Sequence, residues 1–424
     1  MVKKIKSLTL LPIVILIGFT IRLFAIYIYG DSELENEWAI IINNLVNHGA
    51  FSLYSFNGNL IPTVFMPPLY IFFLFFLKTI TPENIELVSI IFSAQIILSI
   101  ISIIIFYKIN IFFFSKNWST FSAFLFCIFP LNVYAVTQIS SITLQIFLTL
   151  LYLYSFFLLY RIKEFLWLKL FYFALVSGLI MLLRGEFFLI FIISVIYLYI
   201  IKKIDLKKAF LIFLMSLLVI SPYLVRNYLT FDKITLTKSI GYNLWKGNNP
   251  YSSVEGSDIY VASLNLNEEF NNYAREINRK ISEIPKDEMY DFNYNEIFFN
   301  EAANYIKEEP LIFIKQYIKK ILSFFYFNLN SNYPNYYNIL VFVPVFLTSI
   351  LSSVGILISI KYFNSKHTYL LLYLSLTILI YSLFFILPRY KLSILPMQII
   401  FMNYLFLKCY EKKFLLKKYF KIKK

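Results

Sequence analysis

The chain has 424 residues, of which 59% are hydrophobic and only 15% charged, with a mean hydropathy of +0.69; these figures exclude a soluble globular domain and leave an integral membrane protein. The formal charge of +15, from 39 basic and 24 acidic residues, does not mark a nucleic-acid partner, because the excess lies in short runs beside apolar segments and not in a basic soluble domain. Two cysteines, Cys127 in an apolar run and Cys409 near the tail, define neither a disulfide framework nor a metal site. Ile, Phe, Lys, Asn and Tyr are abundant throughout, a bias like that of an A+T-rich genome, so aromatic stripes carry no weight as binding features.

In chain order, a basic start (Lys3, Lys4, Lys6) leads into an apolar run at 8–29 that lacks a small-residue cleavage site, which makes it a retained first span. Residues 30–84 form a first outer loop with a helix at 38–46. Within it, the apolar stretch 69–77, entered through Met66-Pro67-Pro68, is short for a span and is expected to be interfacial or re-entrant. Further spans are predicted at 86–107, 118–135, 142–160, 168–183, 187–201, 209–225, 339–360, 369–387 and 392–407. The alternation puts the basic loops 108–116, 161–169, 202–208 and 361–366 on the side of the Lys-rich termini, which the positive-inside rule makes cytoplasmic. A polar segment at 226–338 carries helix-period stretches at 295–307 and 311–325, separated at Pro310. The second, with Lys315, Lys319 and Lys320, has the pattern of a helix lying on a membrane surface. The expected architecture is an all-α polytopic membrane protein of about ten transmembrane helices. It divides into a transmembrane module (1–225), an outer segment (226–338) and C-terminal helices with a basic tail (339–424).

Chemistry is expected where polar groups meet the bilayer edge. Asp31, Glu33, Glu35 and Glu37 crowd the mouth of the first span in a chain otherwise poor in acid. A carboxylate beside a low-dielectric wall is readily tuned as a general base, and Asp31 and Glu37 are the two candidates; a solvated loop, and for Glu37 a favourable first turn of a helix, are the plain alternatives. Of the cations, Arg22 lies inside the first span and Arg184 shares a tight turn with Glu186; charges so costly in lipid are functional candidates by default, and the plain alternatives are that Arg22 snorkels or pairs with an acid and that Arg184 and Glu186 neutralise each other. Arg226, and Arg389 with Lys391, suit a lipid phosphate. The run Gly241-Tyr242-Asn243-Leu244-Trp245-Lys246-Gly247-Asn248-Asn249-Pro250 reads either as an ordinary turn or as a cradle for carbohydrate or phosphate. His48 and His367 lack ligand spacing.

Together, Gly30-Asp31-Ser32, Glu37-Trp38, Pro62-Thr63 with Met66-Pro67-Pro68-Leu69-Tyr70, Leu183-Arg184-Gly185-Glu186, Ser221-Pro222-Tyr223-Leu224-Val225-Arg226-Asn227-Tyr228, the 241–250 run and Arg389-Tyr390-Lys391 resemble bacterial membrane glycosyltransferases of the GT-C class, in the group similar to protein O-mannosyltransferases and the lipid A aminoarabinose transferase (family 39-like). The resemblance implies transfer of a sugar, with inversion, from a polyprenyl-phosphate donor to an acceptor hydroxyl on a glycan, lipid or protein. The reaction is placed at the outer face of a bacterial inner membrane, with both termini cytoplasmic. It implies an acid of the first outer loop as base, here Asp31 or Glu37, since the family's spacing of acid to aromatic fits neither. Arg226, Arg389 and Lys391 are expected at the donor phosphate, and Tyr70, Arg184, Glu186, Asn243, Trp245, Asn248 and Asn249 around sugar and acceptor. No obligatory cofactor is expected, although the clustered acids leave Mg²⁺ or Mn²⁺ open. A transporter or flippase of lipid-linked sugars, and an O-antigen ligase or polymerase, are the alternatives. The first predicts internal repeats and midplane charges, which the sequence lacks.

Overall fold

A computed structural model describes residues 10–160, 166–257, 268–325, 339–360 and 363–422; the N-terminal lysines, the start of the 161–169 loop and the end of the tail lie outside the described residues. Nine of the ten expected spans appear as single helices among the described residues. They are α1 (Leu11–Tyr29), α4 (Leu87–Asn110), α7 (Ile142–Leu158), α8 (Leu166–Leu183), α9 (Phe187–Ile200), α10 (Leu206–Phe231), α15 (Ile339–Ser359), α16 (Ser365–Ser382) and α17 (Leu395–Ile422). Five of these, α1, α4, α8, α10 and α15, are long and apolar enough to cross a bilayer by length and composition alone. The loop helix is α2 (Asn36–His48), and the short apolar stretch is α3 (Pro68–Ile80), whose 13 residues rise only about 20 Å. It buries Tyr70, Ile71, Leu74 and Leu77 on one side against its neighbours.

The stretch expected at 118–135 is not one span. It breaks at Phe129-Pro130 into α5 (Lys116–Ile128) and α6 (Pro130–Tyr134), because Pro130 has no N–H for the carbonyl one turn back. The orphaned carbonyls find side chains: Asn132 Nδ2 donates to Phe126 O at 2.9 Å, and Arg22 Nη1 donates to Cys127 O at 3.2 Å. Arg22 therefore neither snorkels nor meets an acid. Fully buried, it also donates to Gly18 O (3.1 Å) and from Nε to Ser99 Oγ (2.7 Å), tying α1, α4 and α5, and its charge complements the C-terminal end of the α5 dipole. Arg22→Met is expected to lower stability by about 1–3 kcal/mol through the unpaired carbonyl and hydroxyl left behind, read as an earlier thermal melt in detergent. Pro222 inside α10 is compensated in the same manner, Ser221 Oγ donating to Leu218 O at 2.9 Å.

One element departs from the all-α expectation. Strands β1 (Ser52–Phe56) and β2 (Asn59–Pro62) pair antiparallel, Phe56 opposite Asn59, across Asn57 (φ 51°) and Gly58 (φ 83°), the paired left-handed residues of a type I′ turn. This hairpin and the polar segment that follows α10 form a second small core. Helices α11 (Ile240–Gly247), α12 (Glu268–Ser282) and α13 (Tyr290–Glu308) enclose Ile61, Trp245, Phe270, Ile277, Tyr294 and Phe298. The last helix of the segment, α14 (Pro310–Ser323), exposes Leu311, Ile314, Ile318 and Leu322 along one side, as a surface helix should. Lys320 is the correction there. It turns inward, buried, and donates to Gly247 O (2.7 Å) and Asn248 Oδ1 (3.0 Å).

Candidate active site

The end of α1 fixes the first candidate base. Beyond Gly30 the chain turns so that the Asp31 N–H donates to Thr137 O at 3.0 Å, while Asp31 Oδ2 accepts the Ile139 N–H at 2.7 Å; among the described residues its other oxygen has no hydrogen bond. Asp31 is half-buried. Residues 32–35 then lead to α2, which opens at Asn36 in the left-handed region (φ 64°) with Glu37, exposed, in its first turn. Asp31, Glu33, Glu35, Glu37 and Trp38 line a cavity of about 510 Å³ together with Tyr134 at the end of α6 and Gln138 and Ser140 from the stretch between α6 and α7. Its remaining wall comes from a 3-10 helix, Pro388–Ser393, which supplies Arg389 and Leu392. Both candidate bases and one candidate phosphate-binding cation thus share one cavity.

The other residues singled out lie elsewhere. Arg226, in the last turns of α10, donates to Thr63 O (2.9 Å), Phe51 O (3.3 Å) and Asn227 Oδ1 (2.8 Å) and stands over the rings of Phe51 and Phe231, so its guanidinium clamps the base of the hairpin. Lys391 is buried; burial pushes its ammonium down to about 7, opposed by the charge of Glu255 in the polar segment that follows α10. Arg184 is half-buried behind the cavity wall, donating from Nε to Gln145 Oε1 (2.9 Å) and from Nη2 to Ser141 Oγ (3.3 Å), with the Glu186 charge beside it. Gln145 Nε2 in turn donates to the Tyr381 hydroxyl (2.9 Å), whose ring packs 5.2 Å from Tyr390. Tyr70 is buried edge-to-face against Trp38 (5.1 Å), and among the described residues its hydroxyl has no hydrogen-bond partner.

The 241–250 run is a joint, neither a turn alone nor an open cradle. Trp245 is fully buried and donates to the Tyr273 hydroxyl at 2.8 Å, leaving no ring face for a sugar. Asn248 donates to Leu244 O and Leu383 O (both 2.8 Å), Asn249 to Trp245 O (2.8 Å) and Ser257 Oγ (2.6 Å), and the Asn243 N–H to Ser239 O (3.0 Å). The glycines permit the contact: a Cβ on Gly247 would stand 2.0 Å from Phe384 O, and one on Gly241 2.1 Å from Asn295 O. The run therefore docks the polar segment that follows α10 onto the apolar helices near the 3-10 helix that carries Arg389.

Sequence reasoning passed over Asp291. On α13, it is buried and accepts from Thr63 Oγ1 (2.6 Å) and the Val64 N–H (2.7 Å) through Oδ2, holding the exit of β2 to that helix. Burial raises its pKa above the usual carboxylate range, against the pull of these hydrogen bonds. A folded-state value above the unfolded one means that ionisation weakens the fold as pH rises through it. Asp291→Ala is expected to cost about 1–3 kcal/mol, since two donors lose their acceptor. Asp291→Asn keeps an acceptor without the buried charge and is expected to melt close to wild type at pH 7; differential scanning fluorimetry separates the two. Among the described residues, no three His, Cys, Asp or Glu side chains converge as cation ligands.

No family model and no curated protein sequence matches the chain. Among solved structures, it is similar to the archaeal oligosaccharyltransferase AglB from Archaeoglobus fulgidus in complex with an inhibitory peptide and a dolichol-phosphate. The TM-score is 0.58 at 15% identity, over 96% of this chain and 51% of that one. The same enzyme in its apo form gives a TM-score of 0.56 at 14% identity, over 97% and 52%. The chain thus spans about half the length of the oligosaccharyltransferase it matches. A weaker likeness, TM-score 0.44 at 10% identity over 93% of this chain and 76% of the other, is to ArnT from Cupriavidus metallidurans bound to undecaprenyl phosphate, and is too slight to carry weight. The architecture is that of a GT-C-like, multi-pass membrane protein.

Proposed function

We propose that the protein is a membrane glycosyltransferase that moves a sugar from a polyprenyl-phosphate-linked donor to an acceptor hydroxyl. The observation that carries this reading is the shared cavity, where the anchored Asp31 and exposed Glu37 meet the Arg389 guanidinium at the end of a bundle with a GT-C-like fold. AglB, which has that fold, was captured with a dolichol-phosphate and a peptide. In this reading Asp31 is the base, because one of its oxygens is held by the Ile139 N–H and the other is left for the acceptor. The acceptor O–H gives its proton to Asp31, and its oxygen bonds to the anomeric carbon. The bond from that carbon to the phosphate oxygen breaks with its electron pair, and polyprenyl phosphate leaves against Arg389. Glu37 is the second choice for the base, and Arg226 and Lys391 act through structure.

A phosphate monoester leaves with less charge to neutralise than a pyrophosphate, so the proposal includes transfer without an obligatory divalent cation. It also places the cavity on the outer face of the inner membrane, with both termini cytoplasmic, a reading supported by the basic runs at 202–208 and in the tail. The test is a panel of polyprenyl-phosphate sugars of defined anomeric configuration, supplied with acceptor to the protein in nanodiscs, with and without chelator. Product of inverted configuration by NMR supports the single displacement. Retained configuration overturns it, and loss of transfer on chelation overturns the metal-free form.

A further inference from the structure

Gln95 lies early in α4, a helix of otherwise largely apolar composition, flanked by buried Ile91, Phe92 and Ile96, and is 1% exposed. A primary amide in such a place is costly unless its polar atoms are used. Its Nε2 donates to two carbonyls of the stretch joining α6 to α7, Val136 O at 3.0 Å and Gln138 O at 3.2 Å, while its Oε1 has no hydrogen-bond partner among the described residues. With two acceptors facing it, only the NH₂ end of the amide can occupy that position. The groups between and just beyond these carbonyls are those that hold Asp31: Thr137 O accepts the Asp31 N–H (3.0 Å), and the Ile139 N–H donates to Asp31 Oδ2 (2.7 Å). Two polar groups of this short stretch are thus directed to the acid, and two carbonyls to a single side chain on a long, rigid helix.

We propose that Gln95 is a positioning residue for Asp31, gripping the Val136 and Gln138 carbonyls so that the loop aims the Asp31 carboxylate into the cavity. This rests on the reading of Asp31 as the base. Gln95 touches neither substrate nor Asp31; it fixes the backbone that does. A purely structural glutamine would satisfy the same two carbonyls and have no particular dependence on Asp31, and this difference is measurable.

The test is a double-mutant cycle on the full chain in nanodiscs, following transfer from the polyprenyl-phosphate sugar that wild type uses. Gln95→Met keeps length and removes the donor. It is expected to lower kcat roughly tenfold to hundredfold, as misplacement of a reacting group does, with the donor KM unchanged, and to have no further effect on the residual rate of Asp31→Asn. Equal fold-losses in both backgrounds, or an unchanged kcat in the wild-type background, overturn the proposal. Should Gln95→Met not fold, Gln95→Asn, whose shorter arm keeps an amide but does not reach both carbonyls, goes through the same cycle. If Asp31→Asn transfers sugar as fast as wild type, the reading of Asp31 fails and takes this proposal with it. If transfer needs Asp31 but ignores Gln95, only the positioning role fails.

Discussion

Asp31→Asn is expected to lower sugar transfer by roughly 10²–10⁴-fold, the usual contribution of a positioned general base, while leaving the fold unchanged. The asparagine side-chain oxygen still accepts the Ile139 N–H, and the backbone N–H still donates to Thr137 O, so only the basic lone pair is lost. Glu37→Gln provides the contrast. Glu37 is exposed in the first turn of α2, its carboxylate without a backbone partner among the described residues, and its loss is expected to cost less than tenfold, largely through the helix dipole. Initial rates with one active donor, alongside thermal melts, check both. A larger loss in Glu37→Gln than in Asp31→Asn reverses the assignment.

Arg389→Ala is expected to reduce kcat by roughly 10²–10³-fold, the effect of removing one preorganised group from developing charge. Arg389 is exposed on the cavity wall at the start of a 3-10 helix whose Pro388 is buried, so the scaffold presents it without consuming it. Arg389→Lys retains charge but loses the planar fork and is expected to recover only part of the rate. Arg226→Ala supplies a control of opposite sign in interpretation. Its guanidinium holds Phe51 O and Thr63 O, so the damage is expected mainly in melting temperature, with kcat per folded molecule little changed. Single-turnover rates normalised to folded protein separate the two arginines.

Much of the fold was legible because a bilayer leaves few choices. The run at 8–29 emerged as α1 (Leu11–Tyr29), 86–107 as α4 (Leu87–Asn110), and 311–325 as the helix α14 (Pro310–Ser323), each from hydropathy or a helical period alone. The break at Phe129-Pro130 was a missed proline signal inside an apolar run. The hairpin was carried by Asn57-Gly58, a strong turn signal, overlooked because the surrounding strands are short and the chain around them is helical. In the site, the crowding of Asp31 to Glu37 was visible as composition, and Arg389 as a cation at a span edge. What sequence did not reveal was which polar residues spend themselves on backbone. Arg226, Trp245 and Asn248 have the chemistry of a binding site, yet each is occupied by carbonyls or a hydroxyl brought from more than 25 residues away. The converse signal was available: Gln95 and Gln145, amides inside apolar helices, are expensive there unless partnered; Gln95 reaches the loop that anchors Asp31, and Gln145 joins Arg184 to Tyr381.

The measurement that tests the central claim most directly is the fate of the lipid carrier when purified protein in sealed proteoliposomes meets a polyprenyl-phosphate sugar and an acceptor. The account predicts polyprenyl phosphate released one-for-one with glycosylated acceptor, and release abolished to within the stated factor by Asp31→Asn. Intact lipid-linked sugar moved to the opposite leaflet, with no polyprenyl phosphate formed, would contradict it and make the protein a transporter.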